Sequence, residues 1–251
     1  MNSSTKFDSS IWKILFDMKR HLLAVEVRNK EEKKVSYYLV QLPSGKTSPI
    51  LLSHTWWTGL LDFYDGILLL HGYQNEGMPI HKGIFAYDAI SGHLLWKEEG
   101  ASLKQSFVEG ILTQEGQSIG WKDGASLDRP SQTFIPLEEI KSGGRHFPTL
   151  HIAGSRLFEE WRTPIEDFLK SPIIAQLALL DLYGHTYVQT YSGSLGKSLT
   201  GHWLSYSSQH KEFSVIDQVP LRALLLDAFH VEEPLLFYMP SSNSIAWQHL
   251  R

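Results

Sequence analysis

Residues Ile84–Gly100, IFAYDAISGHLLWKEEG, decide how the rest of the chain is read. Ile84, Ala86 and Asp88 alternate with Phe85, Tyr87 and Ala89; Ser91-Gly92 then breaks the run, and Leu94–Lys97 resumes an apolar, aromatic stretch. Period-two alternation on both sides of a glycine that can take positive φ is the local pattern of two antiparallel strands joined by a tight turn. Trp96 reads as an anchor between sheets, where a large aromatic supplies much of the buried area.

Working outward, the same turn dipeptide recurs. Ser44-Gly45, Ser91-Gly92, Ser142-Gly143 and Ser192-Gly193 have glycines 47, 51 and 50 residues apart, and Ser242-Asn243 falls 50 further on. Asparagine is the usual non-glycine residue in the left-handed region. IFAYDAISGHLLW and LLFYMPSSNSIAW align without gaps, Tyr87 with Tyr238 and Trp96 with Trp247. The flanks of the third and fourth turns, TFIPLEEIKSGG and HTYVQTYSGSLG, fit less well. Between them Thr163-Pro164-Ile165-Glu166 reads as a capping box with proline at the first helical position, which predicts a short helix over 164–170.

Each unit has room for about four strands, placed in the second unit at 57–63, 67–73, 83–89 and 93–98. Four short strands every 40–50 residues is the spacing of a propeller blade, a meander that cannot bury both faces alone. The expectation is therefore an all-β, five-bladed propeller in one domain, with blades near 11–53, 54–100, 101–150, 151–205 and 206–251 and a helical insertion near 164–170.

Composition narrows the chemistry. The 251 residues contain no cysteine, which excludes disulfides, thiolate catalysis and cysteine-ligated metal centres. MNSSTKFDSS holds no apolar core of a signal, and the longest apolar runs fall short of a membrane span, so a cytoplasmic protein is expected. A net charge of -4 with scattered basic residues gives no electrostatic basis for binding nucleic acid or an anionic membrane. The basic run Lys30–Lys34, interrupted by two glutamates, reads as a solvated hairpin loop.

The second unit resembles the PQQ-like, quinoprotein-type propeller repeat, through Ala86-Tyr87-Asp88, Ser91-Gly92 and Trp96. The block from EVRNKEEKKVSYYLVQLPSGK through WWTGLLDFYDGILLLHGYQNEGMPIHKG to ISGHLLW also resembles an uncharacterised family of Bacteroidetes-type bacterial proteins of this length, a domain of unknown function. Such blades occur in dehydrogenases and in non-catalytic scaffolds, so the resemblance implies a fold and no activity. Quinoprotein dehydrogenases place a vicinal cysteine disulfide over their cofactor; a chain without cysteine cannot, and no cofactor is expected.

Two groups of residues are candidates for chemistry. Asp17, Asp62 and Glu109, with Glu159-Glu160 and Asp217, recur near the end of each first strand, which would line a propeller channel. Paired carboxylates there suit glycosidic cleavage or a cation, while the alternative reading makes them turn residues. The loop His71–Gly83 holds His71, Glu76 and His81 beside Trp56-Trp57, and long polar loops on rigid sheets often carry binding. Its histidines lack metal-ligand spacing. There is no GxSxG, HExxH, Rossmann or GxxxxGK[ST] motif. Two functions follow: a non-enzymatic propeller binding a protein or small ligand through its loops, or a glycan-acting hydrolase using the channel carboxylates.

Overall fold

The computed structural model describes residues 3–17, 19–52, 56–75, 78–127, 135–142, 145–194, 198–221 and 229–250. It is all-β, with five open antiparallel sheets distributed over two compact units, Ser3–Gly143 and Gly144–Arg251. No helix among the described residues is long and apolar enough to cross a membrane.

The N-terminal unit begins with β1 (Ser3–Lys6), whose Thr5 hydroxyl donates to the Gly45 carbonyl at 3.4 Å. Its first meander is β2 (Ser10–Asp17), β3 (Leu22–Asn29), β4 (Lys34–Gln41) and β5 (Thr47–Ile50). The second is β6 (Thr58–Tyr64), β7 (Ile67–Asn75), β8 (Met78–Asp88) and β9 (Leu94–Glu98). A smaller third sheet holds β10 (Leu103–Ser106), β11 (Gly110–Thr113) and β12 (Ser118–Gly120), followed by α1 (Leu137–Ser142).

Strand β7 shows why its ILLL run is continuous rather than alternating. Leu68 and Leu70 pack with Leu22, Ala24, Leu39 and Phe63 in one core, whereas Ile67 and Leu69 pack with Ile84, Ala86, Ile111 and Trp121 in another. A strand covered on both faces has no solvent side to write in polar residues.

The C-terminal unit contains β13 (Arg145–His146), β14 (Thr149–Ile152), α2 (Arg156–Leu169), β15 (Ile173–Leu182), β16 (His185–Ser194), β17 (Ser198–Ser207), β18 (Glu212–Leu221), β19 (Phe229–Glu232), β20 (Leu235–Ser241) and β21 (Ser244–His249). Strands β14 to β18 pair in sequence order, and β13 joins β19, β20 and β21. Leu177 and Leu179 face Phe158 and Ile165 of α2, while Ala178 and Leu180 face Trp203, Val231 and Tyr238.

The turns correct part of the expected period. At Ser44-Gly45 and Ser91-Gly92 the four-residue loops are built alike: Gly45 N–H donates to Gln41 O and Gly92 N–H to Asp88 O, both at 2.8 Å, with φ of 74° and 72°. Ser242-Asn243 also lies in a hairpin turn, between β20 and β21. Ser142, in contrast, closes α1, and Ser192-Gly193 lie inside β16 paired with Thr200 and Leu199. The loops with the same closing bond are instead at Gly124, bonded to Gly120 O, and at Lys211, bonded to Ser207 O with φ 55°. Neither carries a Ser-Gly pair.

The helix also begins earlier than expected. Ser155, not Thr163, is its N-cap, its hydroxyl accepting from Phe158 N–H at 3.4 Å, and Pro164 sits inside the helix. Glu166 does not close a capping box; it pairs with Arg162 at 3.1 Å and accepts Ile173 N–H at 3.0 Å. The helix ends at Leu169, with Lys170 left-handed at φ 53°.

Candidate functional site

In the strand LLAVEVRN two charged residues interrupt an apolar run. Glu26 and Arg28 are two apart and share one face of β3. Both are buried, 1 % and 6 % exposed, and Arg28 Nε donates to Glu26 Oε1 at 2.5 Å. The remaining capacity of the pair is used across the gap to the second sheet. Arg28 donates to the carbonyls of Trp56 at 2.8 Å and Thr58 at 2.6 Å, and Glu26 Oε2 accepts Leu60 N–H at 2.7 Å. A buried ion pair is tolerated when its polar atoms are satisfied in this way.

Gly59 makes that approach possible. A Cβ there would lie 3.0 Å from His71 Nε2, 3.3 Å from Glu26 Oε2 and 3.4 Å from an Arg28 terminal nitrogen. Tyr37 Oη and Thr58 Oγ1 bond at 3.1 Å beside the pair, and burial raises the Tyr37 phenol well above its ordinary value.

The guanidinium organises an aromatic surface. Its carbon stands 5.3 Å from the Trp12 ring and 4.8 Å from the Trp56 ring, and Lys30 Nζ is 5.8 Å from Trp12, whose side chain is 57 % exposed. Cations and indoles thus alternate, an arrangement that rigidifies large exposed aromatics. Beside them, Trp57 meets Tyr73 edge-on at 6.4 Å, Tyr73 meets His81 at 5.4 Å, and His81 stacks on His71 at 3.7 Å. Burial lowers the His71 pKa to about 4, helped by the neighbouring His81 imidazole, and burial also lowers His81.

The structure therefore brings His71 and His81 into direct contact and links Trp57 to them through Tyr73. Trp56 joins the neighbouring Arg28 stack. Glu76 lies outside the described residues. The expected loop is mostly strand: β7 runs to Asn75 and β8 starts at Met78. Gly72 and Gly83 mark irregularities in a ladder whose register shifts at His71/Gly72; Gly83 has φ 85°. Trp12, Lys13, Glu26 and Arg28 were missed, although the EVR interruption of an apolar strand was a visible signal.

The acidic residues have separate attachments. Asp17 is buried and accepts Gly66 N–H at 2.6 Å and Arg20 N–H at 3.3 Å. Asp62 pairs with Lys141 at 2.5 Å. Glu109 is exposed and lines a cavity of about 290 Å³ with Trp121 and Asp65. Near Asp62, Lys13 Nζ donates to Leu60 O at 2.9 Å, and burial lowers its pKa against the opposing influence of Glu26 and Asp62. No group of three or more His, Asp or Glu residues among the described residues is placed to hold a metal ion.

Residues 16–96 match one protein family. It is described as Domain of unknown function (DUF4905). The DUF4905 match runs from Phe16 in β2 to Trp96 in β9, so it contains Glu26, Arg28, Trp56, Trp57, His71 and His81 but not Trp12 or Lys13. No curated protein matches the chain.

Proposed function

We propose that the protein is a non-enzymatic binding module that engages a protein or a small ligand through the Trp12, Trp56, Trp57, Tyr73 and His81 surface of its N-terminal unit. The observation that carries this reading is the Arg28 guanidinium between Trp12 and Trp56, fixed by three hydrogen bonds while Trp12 stays exposed. A rigid, exposed aromatic loses little conformational entropy when it is covered, which is why Trp and Arg dominate binding hot spots. The five sheets, read as blades of a propeller, supply the scaffold; the shared hairpin loops at Gly45, Gly92, Gly124 and Lys211 support that reading. The hydrolase alternative gains nothing from Asp17 and Asp62, each held by a structural partner.

The test is affinity capture on the immobilised full chain, with Trp12→Ala and His81→Ala chains as comparisons after circular dichroism has shown that they fold. Loss of the captured molecule with either variant supports the surface. Equal capture by both variants excludes it.

A further inference from the structure

The C-terminal unit contains a cleft lined by its own residues. It measures about 310 Å³ and lies over β16, β17 and β18, with Gln248 and His249 at its edge. The ladder explains its shape. Tyr187 pairs with Ser205 and Ser205 with Ser214, so two serines stand side by side beyond a buried tyrosine. Small side chains in adjacent strands leave a hollow where larger ones would fill the sheet face.

The chemistry of the lining argues against two ligand classes. Ten of its twelve residues are polar, which disfavours an apolar guest. No lysine or arginine lines it, and Glu212 stands there with three histidines, His185, His210 and His249, so no permanent cation is present to hold an anion. Ser205, Ser214, Gln209 and Gln248 make no side-chain hydrogen bond to protein among the described residues, so their donors and acceptors are available together. Val215 and Ile216 add a small apolar wall. Its volume sits at the lower end of the roughly 300–1,000 Å³ of small-molecule pockets, room for one ring rather than a chain.

We propose that this cleft binds a neutral, hydroxyl-rich molecule the size of a single sugar ring. Its hydroxyls meet the serine and glutamine groups, which both donate and accept, and its C–H face meets Val215 and Ile216. The proposal stands independently of the aromatic surface in the N-terminal unit.

Titration of the ¹⁵N-labelled full chain with glucose, galactose and mannose, and separately with acetate and inorganic phosphate, tests it by NMR. Saturable shifts centred on 205–216 and 248–249 are expected with at least one sugar, with Kd on the order of 1–10 mM for so small a ligand. Ser214→Val, an exposed strand position where valine is well accepted, fills part of the hollow and should weaken binding about tenfold at unchanged melting temperature. Ser205→Leu should abolish it. No saturable shift with any of the three sugars, saturation by the anions instead, or undiminished affinity in the folded Ser214→Val chain overturns the proposal.

Discussion

The carboxylate of Asp17, at the end of β2, accepts the backbone N–H of Gly66 at 2.6 Å and so ties the first sheet to the turn of the second. Asp17→Ala leaves that amide without its acceptor in a buried place. The expected cost is about 2–3 kcal/mol in urea denaturation, because the lost bond is to a charged group; Asp17→Asn, which keeps one oxygen, should lose less.

Glu26 and Arg28 behave as one unit. Replacing Arg28 by methionine strands a buried carboxylate and should destabilise by about 3–5 kcal/mol. Joint replacement, Glu26→Leu with Arg28→Met, should cost less than Arg28→Met alone. A double-mutant cycle in denaturant measures both.

Gly59→Ala tests the close approach of the two sheets. The new methyl would meet His71, Glu26 and Arg28 at 3.0–3.4 Å, with only side chains able to yield. A loss of about 1–3 kcal/mol is expected, read as a lower melting temperature.

Acid should weaken the fold through buried imidazoles. His71 is held down to about 4 by burial and His81, and His230 to about 4 by burial and Arg145, against 6.5 for a free imidazole. The unfolded chain therefore binds protons that the folded chain refuses, so the stability from keeping these rings neutral is complete above pH 6.5 and lost as the pH falls through about 4. Urea midpoints across that range should decline, and His71→Phe should flatten part of the slope.

Lys211 holds a left-handed φ of 55° in the loop position that glycine fills at 45, 92 and 124. Lys211→Gly should relieve that strain and stabilise the C-terminal unit by about 0.5–1 kcal/mol in thermal unfolding, less the added entropy of the unfolded chain.

What the sequence disclosed follows from the range of its signals. Strand alternation and the Ser-Gly hairpins are local, so the second meander was placed within a residue or two of β6, β7 and β9, though β8 starts five residues before its expected onset. The hairpin geometry at 124 and 211 was hidden because its requirement is one left-handed residue, which Asp-Gly and His-Lys meet as well as Ser-Gly does. Ser155 was passed over as a cap because the proline nine residues later looked like a helix start. His71 and His81 could be nominated from their neighbourhood in the chain. Arg28's partners on the second sheet, in contrast, are backbone carbonyls at Trp56 and Thr58, groups every residue carries, and no side-chain pattern marks them.

The hairpin loops closed by Gly45, Gly92 and Lys211 each also donate one amide to the turn of a neighbouring hairpin: Leu42 N–H to His21 O at 2.8 Å, Ala89 N–H to Gly66 O at 2.9 Å and Ser208 N–H to Gly184 O at 3.1 Å. They are clasps as well as corners. The six residues Asp88–His93, transplanted over Ser207–Glu212, would put Ala89 N–H at the place from which Ser208 N–H donates, so such a graft carries the clasp with it.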